Sequence, residues 1–228
     1  MSQRDPEPKS SPEHPDLCMD NACATPSQAD SGHPHSFGIP QQRPFDPDAF
    51  EAAVGQLLAA CGVEESGPHM AKTKERVRTM WQHRLLGGYG EEPGEVLGAG
   101  FADERRDLVV VRGIAVHGIC PHHLVPFRGV AHVGYLPGGR LHGFGRIARL
   151  VDAVGHRLTY QEWMTRDIVE VLVRDGKARG AACVIEAEQL CLLLGENRRG
   201  DERVITQSFL GDFENDSAAR ADFLRAIR

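Results

Sequence analysis

An α+β domain preceded by a helical segment and a polar tail is the fold class predicted by this 228-residue sequence. Three observations predict it. Residues 1–45 are rich in Pro, Ser, Asp, Gln and His and almost lack aliphatic side chains, so they cannot bury enough apolar area to offset ordering entropy. From Pro47 to Leu86 apolar residues recur at helical spacing. Beyond residue 99, strand-like runs alternate with two helical stretches. The resulting organisation is a disordered tail over 1–45, a helical segment over 46–98 and a strand-rich domain over 99–228.

Each element has its own local justification. Phe50, Val54, Leu57, Leu58 and Cys61 share one helical face, with Asp46 or Asp48 as N-cap. A second helix is predicted over 73–86, carrying Val77, Met80 and Trp81 and ended by the Gly-Gly-Tyr-Gly at 87–90. Residues 107–116 (DLVVVRGIAV) and 128–136 (RGVAHVGYL) read as strands, the second closed by Pro-Gly-Gly. Residues 146–156 and 161–175 read as helices through Ile147, Leu150, Val151 and Val154, then Trp163, Met164, Ile168 and Leu172. Strand character returns over 180–190 and 204–213, and a short helix at about 215–227 closes the chain.

Composition excludes several function classes. The formal net charge is −6, so no global basic field points to a nucleic-acid partner. A membrane span needs about 18 consecutive apolar residues, and no such run is present. The first residues hold no apolar stretch after their charges, which argues against a secretory signal and for a cytoplasmic protein. Six cysteines, at 18, 23, 61, 120, 183 and 191, are then expected as thiols, metal ligands or catalytic groups rather than disulfides. Cys18 and Cys23, with His14, His33 and His35 nearby, fit no standard zinc spacing.

The chemistry concentrates at two places. Cys120-Pro-His122-His123 closes the first strand of the domain and Cys191 closes the third. Two thiolates and an imidazole are the soft and borderline ligands that zinc prefers, and three of them leave a fourth position for water. Two thiolates offset the charge of the ion, so its water gains from a neighbouring base. His122, beside His123, is the candidate. A Gly143-x-Gly145-x-x-Ala148 run precedes a helix, but two helices intervene before the next strand, which excludes a dinucleotide fold. The H-x-E and P-C-x-x-C pair of nucleobase deaminases and the H-E-x-x-H of zinc peptidases are absent.

The run from Cys120 to Arg140, C-P-H-H-L-V-P-F-R-G-V-A-H-V-G-Y-L-P-G-G-R, resembles the signature of GTP cyclohydrolase I, C-E-H-H-L-x-P-F-x-G-x-A-H-V-G-Y-x-P. The likeness continues through residues 143–151, Gln161-Glu162, 186–191 and Arg220-Ala-Asp-Phe-Leu, so that it spans about Thr73 to Ile227. It implies a tunnelling fold: an antiparallel four-stranded sheet with two helices on one face. It also implies a homo-oligomer, typically a decamer, with active sites between subunits. Carried over position by position, it places Zn2+ on Cys120, His123 and Cys191 and proton handling on His122. Gln161 and Glu162 fall on the guanine-reading pair, where one carboxylate accepts two parallel N–H bonds. Arg146 and Arg149 fall on the triphosphate contacts. In the family, zinc-activated water opens the purine imidazole ring at C8, formate leaves, and 7,8-dihydroneopterin triphosphate forms.

Four positions depart from that pattern. Pro121 replaces Glu, Gly145 replaces Ser, Gln189 replaces a catalytic His, and Gly195 replaces a phosphate-binding Arg. Losing a general acid typically costs about 100- to 10,000-fold in rate. Arg198 and Arg199 are candidate replacements for the phosphate contact, and His117 and His142 for the proton relay. The expectation is therefore a hydrolase opening a guanine-type or purine-like ring other than GTP. The alternatives are an ordinary GTP cyclohydrolase I and a non-catalytic binding homologue.

Overall fold

A computed structural model describes residues 37–64, 67–195 and 200–228. The tail over 1–36, with Cys18 and Cys23, lies outside the described residues, as do Arg198 and Arg199. Residues 37–45, which composition assigns to the tail, are placed, and Phe37 is buried.

Helix α1 (Pro47–Ala60) starts where the cap predicts. Asp46 accepts the Ala49 N–H at 3.0 Å and Pro47 takes the first helical position. Phe50 meets Trp81 at 5.6 Å between ring centroids, and Glu51 pairs with Arg78 at 2.6 Å. Helix α2 (Thr73–Met80) is shorter than the predicted 73–86, because the chain widens into a π-turn over Trp81–Leu85. A 3-10 turn follows at Gly87–Gly90, then helix α3 (Pro93–Leu97), which no sequence signal predicted.

Strands β1 (Phe101–Ala102), β2 (Val109–Ile119), β3 (Pro126–Leu136) and β4 (Arg140–Leu141) come next. Helices α4 (Phe144–Gly155) and α5 (Gln161–Arg174) follow them. Strand β5 (Gly180–Gln189), helix α6 (Leu190–Leu193), strand β6 (Val204–Gly211) and helices α7 (Asp212–Asn215) and α8 (Ser217–Ala226) complete the chain. The main sheet is antiparallel throughout in the order β2-β3-β5-β6, while β1 and β4 form a separate two-residue ribbon. This is the four-stranded tunnelling-fold sheet the resemblance implied.

Alternation along β5 shows why the sheet carries helices on both faces. Ala181, Cys183, Ile185 and Ala187 pack with Ile147, Leu150 and Val154 of α4 and Met164, Ile168 and Leu172 of α5. The intervening Ala182 and Val184 face Phe213 and Phe223, so α8 covers part of the opposite side. Two glycines let α4 come close to β2 near residue 120. A Cβ on Gly155 would meet His117 O at 2.9 Å, and one on Gly118 would meet Gly155 O at 2.9 Å.

Candidate active site

Strand register brings the predicted residues to one end of the sheet. Ile119 pairs with Pro126 and Phe127 with Gln189, so the end of β2, the start of β3 and the end of β5 lie side by side. Cys120 directly follows β2. Its N–H donates to Val125 O at 3.1 Å and its O accepts from Leu124 N–H at 3.0 Å, which closes the Cys120–Leu124 turn. Leu124 takes a left-handed conformation (φ 55°) and stands exposed, a strained geometry of the kind found where a turn must present side chains. Cys191, expected to close the third strand, follows β5 on the short helix α6, because the chain turns helical straight after Gln189.

The two thiols meet. Cys120 and Cys191 are within hydrogen-bonding contact, and the Cys191 thiol is pushed up first by burial and then by the neighbouring Cys120. A nearby divalent cation would reverse that shift by favouring thiolates. His122 and His123 are exposed on the turn with ring centroids 6.3 Å apart. Among the described residues, no group of three or more His, Cys, Asp or Glu side chains is arranged to hold a metal ion. So the donor pair Cys120–Cys191 fits zinc, and His123 lies in the same turn without joining it. Cys183, fully buried among apolar side chains, is pushed up by burial and belongs to the core.

The α4–α5 connection supplies the other wall. Tyr160 Oη lies 3.2 Å from His122 Nε2 and its ring stacks edge-on against Trp163 at 4.6 Å. Sequence reasoning missed Tyr160, since nothing in the linear order links it to residue 122. Gln161 is 2% exposed, and its side-chain amide donates to Ile185 O at 3.0 Å and Val204 O at 2.9 Å. Gln189 donates to Gln161 Oε1 at 2.6 Å. Both glutamines therefore tie β5 and β6 to the start of α5, and Gln161 holds the scaffold rather than projecting outward. Glu162, the next residue, is exposed in the first turn of α5.

The predicted phosphate contacts share the exposed face of α4. Arg146 Nη1 donates to Val96 O at 3.1 Å, and Arg149 pairs loosely with Glu91 at 3.4 Å. Gly145 lies between Phe144 and Arg146 with open space where a Cβ would stand, and Gly195 follows α6, exposed. The proposed relay histidines are engaged elsewhere. His142 is 2% exposed and bonded through Nε2 to Gly176 O, while His117 stacks on His156 at 4.1 Å. A cleft of about 1010 Å3 lined by Phe37, Phe45, Tyr89 and Arg157 holds none of the predicted site residues.

The antiparallel tunnelling-fold sheet thus carries paired thiols, two histidines and an exposed helix-start glutamate near one end, and comparison with known proteins classes the chain as a hydrolase acting on carbon–nitrogen bonds. The family profile of GTP cyclohydrolase I matches residues 50–228, and the chain belongs to that family. It is 69% identical over 185 residues to a Chromobacterium violaceum protein named GTP cyclohydrolase 1, covering 81% of this chain and 90% of that one. It is 64% identical over 193 residues to the protein of that name from Ralstonia nicotianae, with 85% and 92% covered. A Mycobacterium leprae protein, also named GTP cyclohydrolase 1, is 39% identical over 194 residues, with 84% and 94% covered. A solved structure of an archaeosine synthase QueF-like protein in the apo form overlaps 47% of this chain and 97% of its own at 16% identity and a TM-score of 0.39. The described residues contain no helix long and apolar enough to cross a membrane.

Proposed function

We propose that this chain is a zinc-dependent GTP cyclohydrolase I, hydrolysing GTP at C8 with release of formate to give 7,8-dihydroneopterin triphosphate. The observation that carries this is the convergence of Cys120 and Cys191 beside His122 and the start of α5, in a chain 69% identical to a GTP cyclohydrolase 1. That identity favours GTP over the altered substrate expected from Pro121, Gly145, Gln189 and Gly195. Cys120 and Cys191 would hold zinc, with His123 turning in from the same turn as third ligand, and the ion would supply Lewis-acid activation of water. His122 takes and returns protons at Nε2, where Tyr160 Oη fixes the ring. Glu162 accepts the guanine ring N–H and exocyclic amine in parallel, and Arg146 and Arg149 neutralise phosphate charge along α4.

Zinc-loaded protein incubated with GTP should lose the purine absorbance band and release one formate per GTP. Replacing Cys120 or Cys191 by Ser should lower bound zinc severalfold, read by elemental analysis, and abolish turnover. GTP that remains intact beside fully loaded protein would overturn the reading.

The same reading includes a cytoplasmic homo-oligomer, a decamer by the family pattern. Large apolar side chains stand exposed in this chain, Leu57 (63%), Met80 (55%), Phe144 (67%) and Ile205 (62%) among them, and α1 buries none of its residues. Subunit contacts would cover these side chains. Light scattering on the eluting protein should give a mass several times 25.0 kDa, and a monomer would refute it.

A further inference from the structure

The connection from α4 to α5 carries Tyr160 and leads directly into Glu162 in the first turn of α5, yet most of its backbone partners come from elsewhere in the chain. Leu158 bridges to Ile119, the residue before Cys120, with Thr159 N–H donating to Ile119 O at 3.0 Å. On its other side Leu158 meets residues 37–39. Ile39 N–H donates to Leu158 O at 2.7 Å. Tyr89 Oη accepts the Leu158 N–H at 3.2 Å and donates to Ile39 O at 2.5 Å, closing a ring of three hydrogen bonds.

The segment that makes these bonds is itself anchored. Phe37 is 6% exposed beneath the guanidinium groups of Arg157 and Arg174, at 5.5 and 5.8 Å from its ring centroid. Arg157 Nη1 reaches Phe37 O at 3.4 Å, while its Nη2 holds Gly88 O at 2.6 Å and Glu91 O at 2.7 Å. Gly38 N–H bonds the Asp167 carboxylate on α5. Gly38 has φ +66°, and a Cβ there would meet Leu158 O at 2.7 Å, so the close approach requires glycine.

We propose that Phe37–Ile39 is a positioning strap for the substrate-facing turn: by engaging both backbone groups of Leu158, directly and through Tyr89, it sets Tyr160 against His122 and orients Glu162 at the start of α5. The strap lies upstream of the family match, which begins at residue 50. The proposal rests on the GTP cyclohydrolase reading of the same site. Its residues touch neither substrate nor metal; they act through Leu158. Positioning errors of this kind are costly, because a displacement near 1 Å far from the chemistry can lower rates by about 100-fold.

Two full-length variants test it, Gly38→Val, which drives the strap off Leu158 O, and Tyr89→Phe, which keeps the ring and deletes the bridging hydroxyl. Each should raise KM for GTP about tenfold and lower kcat with it, while zinc per chain stays at the parent value. In a Trp81→Phe background Trp163 is the sole tryptophan, and its emission should shift in both variants because it packs on Tyr160. A chain that had merely lost stability would show fewer active sites, a lower kcat and an unchanged KM, which would overturn the strap. Unchanged KM and unchanged Trp163 emission in both variants would overturn it as well. Should the parent protein fail to open GTP, the functional reading fails, and the Trp163 signal still decides whether the strap holds the turn.

Discussion

At the scale of single residues, Gln189 changes meaning once its neighbours are known. In the sequence it stands where the family has a proton-transferring histidine, and a carboxamide cannot transfer a proton near neutral pH. In the structure its amide donates to Gln161 Oε1, and Gln161 in turn spans Ile185 O and Val204 O. Gln189 is thus one strut of a part-buried bridge that holds β5, β6 and α5 together at the start of α5. Replacing it with Leu leaves a buried acceptor without that donor, a loss of about 1–3 kcal/mol. Thermal melts should show the drop, together with a raised KM for GTP as the start of α5 loosens. An unaltered melting temperature would mean that the Gln161–Gln189 bond contributes nothing to the fold. The same residue shows the limit of linear reading: its type argued only against proton transfer at the catalytic position, and its partner, 28 positions away, is fixed only by strand register.

At the scale of elements, long periodic stretches were legible and short ones were not. The paired strands and helices α4 and α5 lie within three residues of their expected bounds, because alternation and helical spacing over ten or more residues leave little freedom. The β1–β4 ribbon has two residues per strand and α3 has five, too few to show any period. That Cys120, His122 and His123 share one turn was legible from one tight motif. Tyr160 and the docked Phe37 were not, since each gains its role from a contact made only by folding. Helix α8 is the element whose place depends most on one side chain. Phe223 is fully buried, with ring centroids 6.2 Å from Phe213 and 6.3 Å from Phe209. A Cβ on Gly134 would meet its ring at 2.6 Å, so β3 is hollowed to receive it. Phe223→Ala should cost about 3–5 kcal/mol, measured as a lower urea midpoint, and a change below about 1 kcal/mol would mean that α8 collapses onto the sheet without its anchor.

At the scale of the whole molecule, two half-buried titrating groups act on stability in opposite directions. Asp167, beside the strap, is pushed up to about 7, first by burial and then by Glu170, against the lowering effects of Gly38 N–H, Arg157 and Arg166. One of its oxygens, Oδ2, has no hydrogen-bond partner. A carboxyl raised from 3.8 to about 7 contributes stability that is full below pH 3.8 and lost as pH rises through 7. His156, at the end of α4, is pushed down to about 4 by burial first and then by its neighbours His117 and Arg84. An imidazole lowered from 6.5 to about 4 contributes stability that is full above pH 6.5 and lost as pH falls through 4. Between these limits the two slopes oppose each other, so the contributions of Asp167 and His156 to stability should largely cancel from pH 4.5 to 6.5. Asp167→Asn removes one slope and keeps an acceptor for Gly38 N–H. The variant should be more stable than the parent at pH 7.5, by on the order of 1–2 kcal/mol, and should lose more melting temperature than the parent on acidification, because the opposing slope of Asp167 is gone. A variant profile running parallel to the parent from pH 4.5 to 7.5 would show that Asp167 is ionised in the fold as freely as in the open chain, and that the charge buried beneath the strap carries no cost.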